Sequence, residues 1–107
     1  MWRTIRLAVL LSGFAGGGTA VSQSLGDPDV GRRLAEAWCA ECHAVGPKTV
    51  QAIRRGPDFA AVAKRPSTTP LSLNVFLRSN HDNMPNFILK RSEADDIVAY
   101  ILTLKER

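Results

Sequence analysis

The chain has 107 residues, of which 45% are hydrophobic and 22% charged, with 8 Gly and 6 Pro. This is the length of one small domain, and the composition excludes collagen-like, low-complexity and wholly disordered chains. The formal charge of +4 includes Arg3 and Arg6; without these two, the basic excess is too small to indicate binding to nucleic acid or to a membrane surface.

The first 20 residues read as a secretory signal peptide. Arg3 and Arg6 supply the charged start, Leu7, Ala8, Val9, Leu10 and Leu11 the apolar middle, and Gly18, Thr19 and Ala20 a small-residue cleavage site. Cleavage is expected after Ala20 or Ser22, and residues 21–107 form the mature domain. Residues 7–21 are too short and too rich in Gly for the roughly 20 apolar residues of a spanning helix, so no stable membrane insertion is expected after cleavage. The mature chain is short of core and needs a staple or cofactor.

No sustained polar-apolar alternation marks a strand, so an all-helical fold is predicted. Asp27 followed by Pro28 is a helix start, and Val30, Leu34, Ala37 and Trp38 recur at helical spacing, so a first helix is predicted from 28 into 42. A short helix over 58–63 follows Gly56 and Pro57, and another starts at Thr69 and Pro70 and ends near Arg78 or Ser79. A last helix is expected from Ser92, with Asp95 completing a capping box and Ile97, Val98, Ile101, Leu102 and Leu104 on its apolar face. The connections 44–55 and 80–91 are long for a compact domain, which points to function.

Cys39, Ala40, Glu41, Cys42 and His43 form the Cys-x-x-Cys-His pattern of covalent c-type haem attachment. Residues i, i+3 and i+4 share a helical face, so both thiols can reach the two vinyl groups of one porphyrin while the imidazole meets the iron. Three other readings stand beside this one. A zinc site would have to combine these three residues with the remote His81. A redox dithiol lacks the surrounding βαβ pattern, and a local disulfide could not staple distant parts of the chain. For the sixth iron position, Met84 is the only methionine once Met1 is removed, and it lies before Pro85 in a polar loop. His and Met ligation is the arrangement of electron-transferring haems, in which the thioether raises the potential; His81 is the competing ligand.

With these residues the chain resembles the class I cytochromes c, small soluble monohaem proteins of the bacterial periplasm, over residues 29–104. The resemblance implies the cytochrome c fold, in which N- and C-terminal helices cross and three to five helices wrap one haem. Gly31 matches the small residue at that crossing, and residues 97–101 match the C-terminal helix with its packed aromatic. Pro57 would offer its carbonyl to the imidazole of His43 and so orient it. Many relatives have an aromatic where this chain has Ala35, and Trp38 is expected to fill that volume. Arg65, Ser67, Thr68, Lys64 and Asn80 are open candidates for the haem propionates.

The implied function is one-electron transfer without catalysis, by a periplasmic monomer that docks transiently at the haem edge on a dehydrogenase, reductase or oxidase. Lys48, Arg54, Arg55, Lys64, Arg65, Lys90 and Arg91 are candidates to ring that edge. A dedicated subunit of one periplasmic dehydrogenase and a haem-based gas sensor with an open iron are the alternatives.

Overall fold

The computed structural model describes residues 13, 16–18, 26–47, 56–79, 84 and 87–106. The predicted export segment and its cleavage sites, apart from four glycines, lie outside the described residues, as do His81, Asn80, Lys48, Arg54 and Arg55. Four helices run in chain order: α1 (Pro28–Trp38), α2 (Phe59–Lys64), α3 (Pro70–Leu77) and α4 (Arg91–Thr103), the last continued by a 3₁₀ turn over Leu104–Glu106. There is no strand among the described residues.

Local chemistry sets where most of these helices begin. Asp27 caps α1, its carboxylate accepting from the amides of Asp29 (2.9 Å) and Val30 (3.3 Å), while Pro28 occupies a position whose N–H has no helical partner. Thr69 and Ser72 cap α3 reciprocally, each hydroxyl accepting from the other's amide at 3.0 and 2.9 Å.

The start of α4 differs from the sequence expectation. Its cap is Lys90, not Ser92, and Glu93 accepts from the Lys90 amide at 2.8 Å. Asp95, expected to complete the cap, faces another element instead, and so does its neighbour Asp96. Asp95 accepts from the Asn74 amide group of α3 at 3.2 Å, and Asp96 from the Asp27 backbone N–H at 2.7 Å. Tertiary partners have taken these carboxylates from the local cap, and the helix starts earlier.

α1 packs across α4, and Gly31 lies at the contact. A Cβ at this position would fall 1.8 Å from the Asp96 carbonyl oxygen and 2.9 Å from the Ile97 amide nitrogen, so only glycine permits this backbone approach. Above it lies the core, in which Ala35, Ile97, Val98, Ile101 and Leu104 are buried together with Val45, Phe59, Ala63 and Leu73. Ala35 is fully buried in this cluster, whereas Trp38 is partly exposed at the end of α1, so Trp38 does not fill the volume expected of it. Tyr100 is buried in the same cluster, and its hydroxyl donates to the Val45 carbonyl, tying α4 to the segment that follows His43.

Gly31→Val should force α1 from α4. Overpacking typically costs about 1–3 kcal/mol, and because the obstacle is backbone the loss should reach the upper end of that range, read as a lower urea midpoint of the haem-loaded protein.

Candidate haem-binding site

The attachment motif begins where α1 ends. The first helix was expected to run into residue 42, but it stops at Trp38. The amides of Cys39 and Ala40 both bond to the Ala35 carbonyl, at 2.8 and 3.1 Å, which widens the last turn. The amides of Cys42 and His43 then both point to the Cys39 carbonyl, at 3.2 and 2.9 Å. Residues 39–43 are thus a closed turn suspended from one carbonyl, and Cys39, Cys42 and His43 line a single cavity.

A seam of three hydrogen bonds fixes that turn to the segment before α2. The Gly56 amide donates to the Cys42 carbonyl at 3.0 Å, the Phe59 amide donates to the Ala44 carbonyl at 2.9 Å, and between them His43 Nδ1 lies 2.7 Å from the Pro57 carbonyl oxygen. A carbonyl can only accept, so Nδ1 carries the proton and the neutral imidazole has its lone pair on Nε2, the nitrogen suited to iron. Gly56 makes this packing possible. A Cβ there would lie 2.3 Å from His43 Cε1, 2.6 Å from Nδ1 and 2.7 Å from Nε2, so the glycine backbone rests directly against the ring. The ring of Phe59 flanks the same imidazole, with centroids 5.1 Å apart and planes tilted by 44°.

The cavity has a volume of about 440 Å³, within the range of small-molecule and cofactor sites. Its walls come from all four helices: Trp38 at the end of α1, Phe59 and Val62 of α2, Leu73, Phe76 and Leu77 of α3, and Ile101 of α4. Pro57 and Met84 line it as well, so the structure brings together all five residues singled out from the sequence, Cys39, Cys42, His43, Pro57 and Met84. Glu41 lines the cavity from the attachment turn, and the polar wall beyond α2 is Arg65 with Ser67, Thr68 and Ser72. Thr68 donates to the Val62 carbonyl at 2.6 Å and Ser72 is held in the α3 cap, which leaves Arg65 as the cationic group of this wall. Arg91 was expected beside the cavity, but it lines a separate groove between α3 and α4.

The surroundings of Cys39 bear on the rival chemistries. Burial pushes the Cys39 thiol from an ordinary 9.0 up to about 11. Redox-active and metal-binding cysteines need the opposite, a depressed pKa and a thiolate. An apolar setting that disfavours a charged sulfur suits the neutral sulfur of a thioether. Among the described residues no group of three or more His, Cys, Asp or Glu side chains could hold a metal ion; His81, the fourth ligand of the zinc alternative, lies outside them. Both cysteines are free rather than joined as a disulfide. The donor set and the apolar walls therefore fit a covalently bound porphyrin.

Sequence reasoning missed two contributors. Ser72 was hidden because a serine inside an apolar helix reads as a cap residue, and it is one. Gly56 was noted only as the neighbour of Pro57; the signal that could have singled it out is that a backbone carbonyl can reach an imidazole only if the chain beside it has no side chain in the way.

An all-helical domain with this attachment turn at the end of its first helix is a c-type haem protein. The family model for cytochrome c matches residues 29–105, and the chain belongs to that family. Its cofactor is one haem c, attached through Cys39 and Cys42. Cytochrome c-552 of Bradyrhizobium diazoefficiens is 44% identical over 79 residues, which cover 74% of this chain and 76% of that protein. No solved structure gives a significant match.

Gly56→Ala should push the imidazole off the Pro57 carbonyl. The expected result is loss of the hydrogen-bonded Nδ1–H resonance of His43 in the proton NMR spectrum of the ferrous protein, with a stability loss of about 1–3 kcal/mol from the displaced ring.

Proposed function

We propose that this cytochrome c is a periplasmic one-electron carrier with His43 and Met84 as axial ligands and no catalytic activity of its own. The observation that carries the reading is the convergence of Cys39, Cys42, His43, Pro57 and Met84 on one cavity, with His43 Nδ1 2.7 Å from the Pro57 oxygen. Bound haem supplies a one-electron ferric/ferrous couple. The chain supplies everything else.

Cys39 and Cys42 tether the group, so it cannot be lost outside the cell. Pro57 keeps the proton on Nδ1 of His43 and so keeps Nε2 available to iron in both oxidation states. Met84 would offer the iron a weak, neutral sulfur donor, which would favour the ferrous state and raise the potential. Apolar walls from Leu73, Phe76, Leu77 and Ile101 work in the same direction, since a low dielectric disfavours the extra charge of ferric iron. Arg65 would meet the propionate carboxylates at the polar wall. If His43 and Met84 both hold the iron, no position would be left for substrate, which supports a carrier over an enzyme.

The periplasmic assignment rests on residues 1–20 and on the family, whose covalent attachment suits an exported chain. Among the described residues no helix is long and apolar enough to cross a membrane. The partners would be redox proteins that dock transiently at the haem edge on a small interface.

The test is the spectrum of protein matured in a periplasm. A weak red charge-transfer band in the ferric form, with a ferrous form that ignores carbon monoxide, supports ligation by Met84; an absent band and carbon monoxide binding would establish the gas-sensor alternative. Met84→Ala should keep covalent haem, lose the band and bind carbon monoxide or recruit His81. Its potential should fall by on the order of a few tenths of a volt, within the roughly 0.8 V that axial ligands span. An unchanged spectrum and potential would falsify the assignment. Substitution of His43 or of either cysteine should instead lower the yield of attached haem.

A further inference from the structure

α3 is apolar on two opposite sides. Ser72, Leu73, Phe76 and Leu77 face the haem cavity. Leu71 and Val75, one helical turn apart, lie on the other side and are 74% and 55% exposed. A helix that is apolar all round is ordinarily buried all round, and scattered exposed apolar residues would need no explanation. These two are not scattered. They line a shallow groove between α3 and the start of α4, together with Asn74, Arg78, Arg91 and Asp95.

The charges of this groove are unbalanced. Asp95 already accepts from the Asn74 amide group at 3.2 Å, while neither Arg78 nor Arg91 takes part in an ion pair among the described residues. Two exposed guanidiniums beside an exposed Leu and Val form a surface that an apolar side chain flanked by carboxylates would complement, since each arginine can grip a carboxylate through two parallel bonds. The groove is concave and contains polar Asn74 and Asp95, which suits a protruding protein surface better than a flat bilayer.

We propose that the α3–α4 groove is a docking surface for an acidic, apolar patch of a redox partner protein, distinct from the mouth of the haem cavity. The inference rests on the electron-carrier reading only for the kind of protein that docks. A partner seated there would be separated from the haem by α3 alone, roughly one helix diameter of about 10 Å. The groove would thus hold the partner by complementary charge while α3 serves as the wall between the two.

The experiment titrates the ferrous holoprotein, labelled with ¹⁵N, against a synthetic helical peptide with Leu at i and i+4 flanked by Glu. A Lys-for-Glu peptide and phosphatidylglycerol vesicles serve as comparison probes. The expected result is amide shifts confined to residues 71–79 and 91–95 with the acidic peptide, and binding weakened about tenfold or more in the R78E/R91E variant, for a ΔΔG of about 1.4 kcal/mol by the standard conversion. Leu71→Gln, a change at a 74% exposed position that should leave the fold intact, should weaken binding without altering its salt dependence.

Equal binding of both peptides, no shift with either, shifts gathered around Trp38 and Phe87 at the haem cavity, or binding to vesicles but not to the acidic peptide would each overturn the proposal. Concentration-dependent sedimentation without peptide, abolished by R78E/R91E, would also overturn it by assigning the groove to a second copy. The spectrum of the same sample after oxidation to the ferric form reports on Met84 separately, so failure of the ligation reading and failure of the groove cannot be confused.

Discussion

The hydrogen bond between His43 Nδ1 and the Pro57 carbonyl is the constraint on which the site depends, and it is short because the backbone on either side of it is already fixed. The Gly56 and Phe59 amides bond to the carbonyls of Cys42 and Ala44, the residues immediately before and after the histidine. The imidazole therefore does not choose its orientation by rotamer preference alone. It is gripped at Nδ1, rests against a glycine backbone and is flanked by Phe59. Each bond is worth only about 1 kcal/mol net, but together they leave the ring one arrangement in which the tautomer is also decided.

This seam is anchored to the rest of the fold through Val45 and Phe59. Val45 is buried in the core, and its carbonyl accepts from the Tyr100 hydroxyl of α4; Phe59 opens α2 and is buried in the same cluster. α4 is in turn placed by α1 at Gly31, where backbone meets backbone. The order of dependence runs from a glycine in α1, through α4 and Tyr100, to the segment that orients the proximal imidazole. The attachment turn closes the circuit, because it grows directly from the last turn of α1.

How far the sequence revealed this depends on the range of the interaction. The Cys-x-x-Cys-His turn, the Asp27 cap and the Thr69 cap are local, and each could be read from residues a few positions apart. The start of α4 could not, because Asp95 and Asp96 are spent on Asn74 and on the Asp27 amide, partners 21 and 69 residues away. The end of α1 was overestimated for a similar reason, since its ladder slips where two amides converge on Ala35. Trp38 was assigned to a core volume by its size, yet the geometry at the helix end turns it to the cavity wall. Met84 and His43 could each be singled out by residue chemistry, and both line one cavity, whereas the steric role of Gly56 depends on a close approach that no local pattern encodes.

The shortage of core in so small a chain explains why α3 can face two ways. In a larger domain a helix carrying Leu71, Leu73, Val75, Phe76 and Leu77 would be covered on both sides by protein. Here one side closes on the haem cavity, and the described chain leaves Leu71 and Val75 exposed on the other. The cofactor therefore does more than carry the electron, since the apolar walls of the cavity have little else to pack against. Covalent attachment makes that packing permanent, and a fold whose core includes its redox group places every wall residue within a side chain of the electron. α3 alone then separates the cavity from the groove on its outer face.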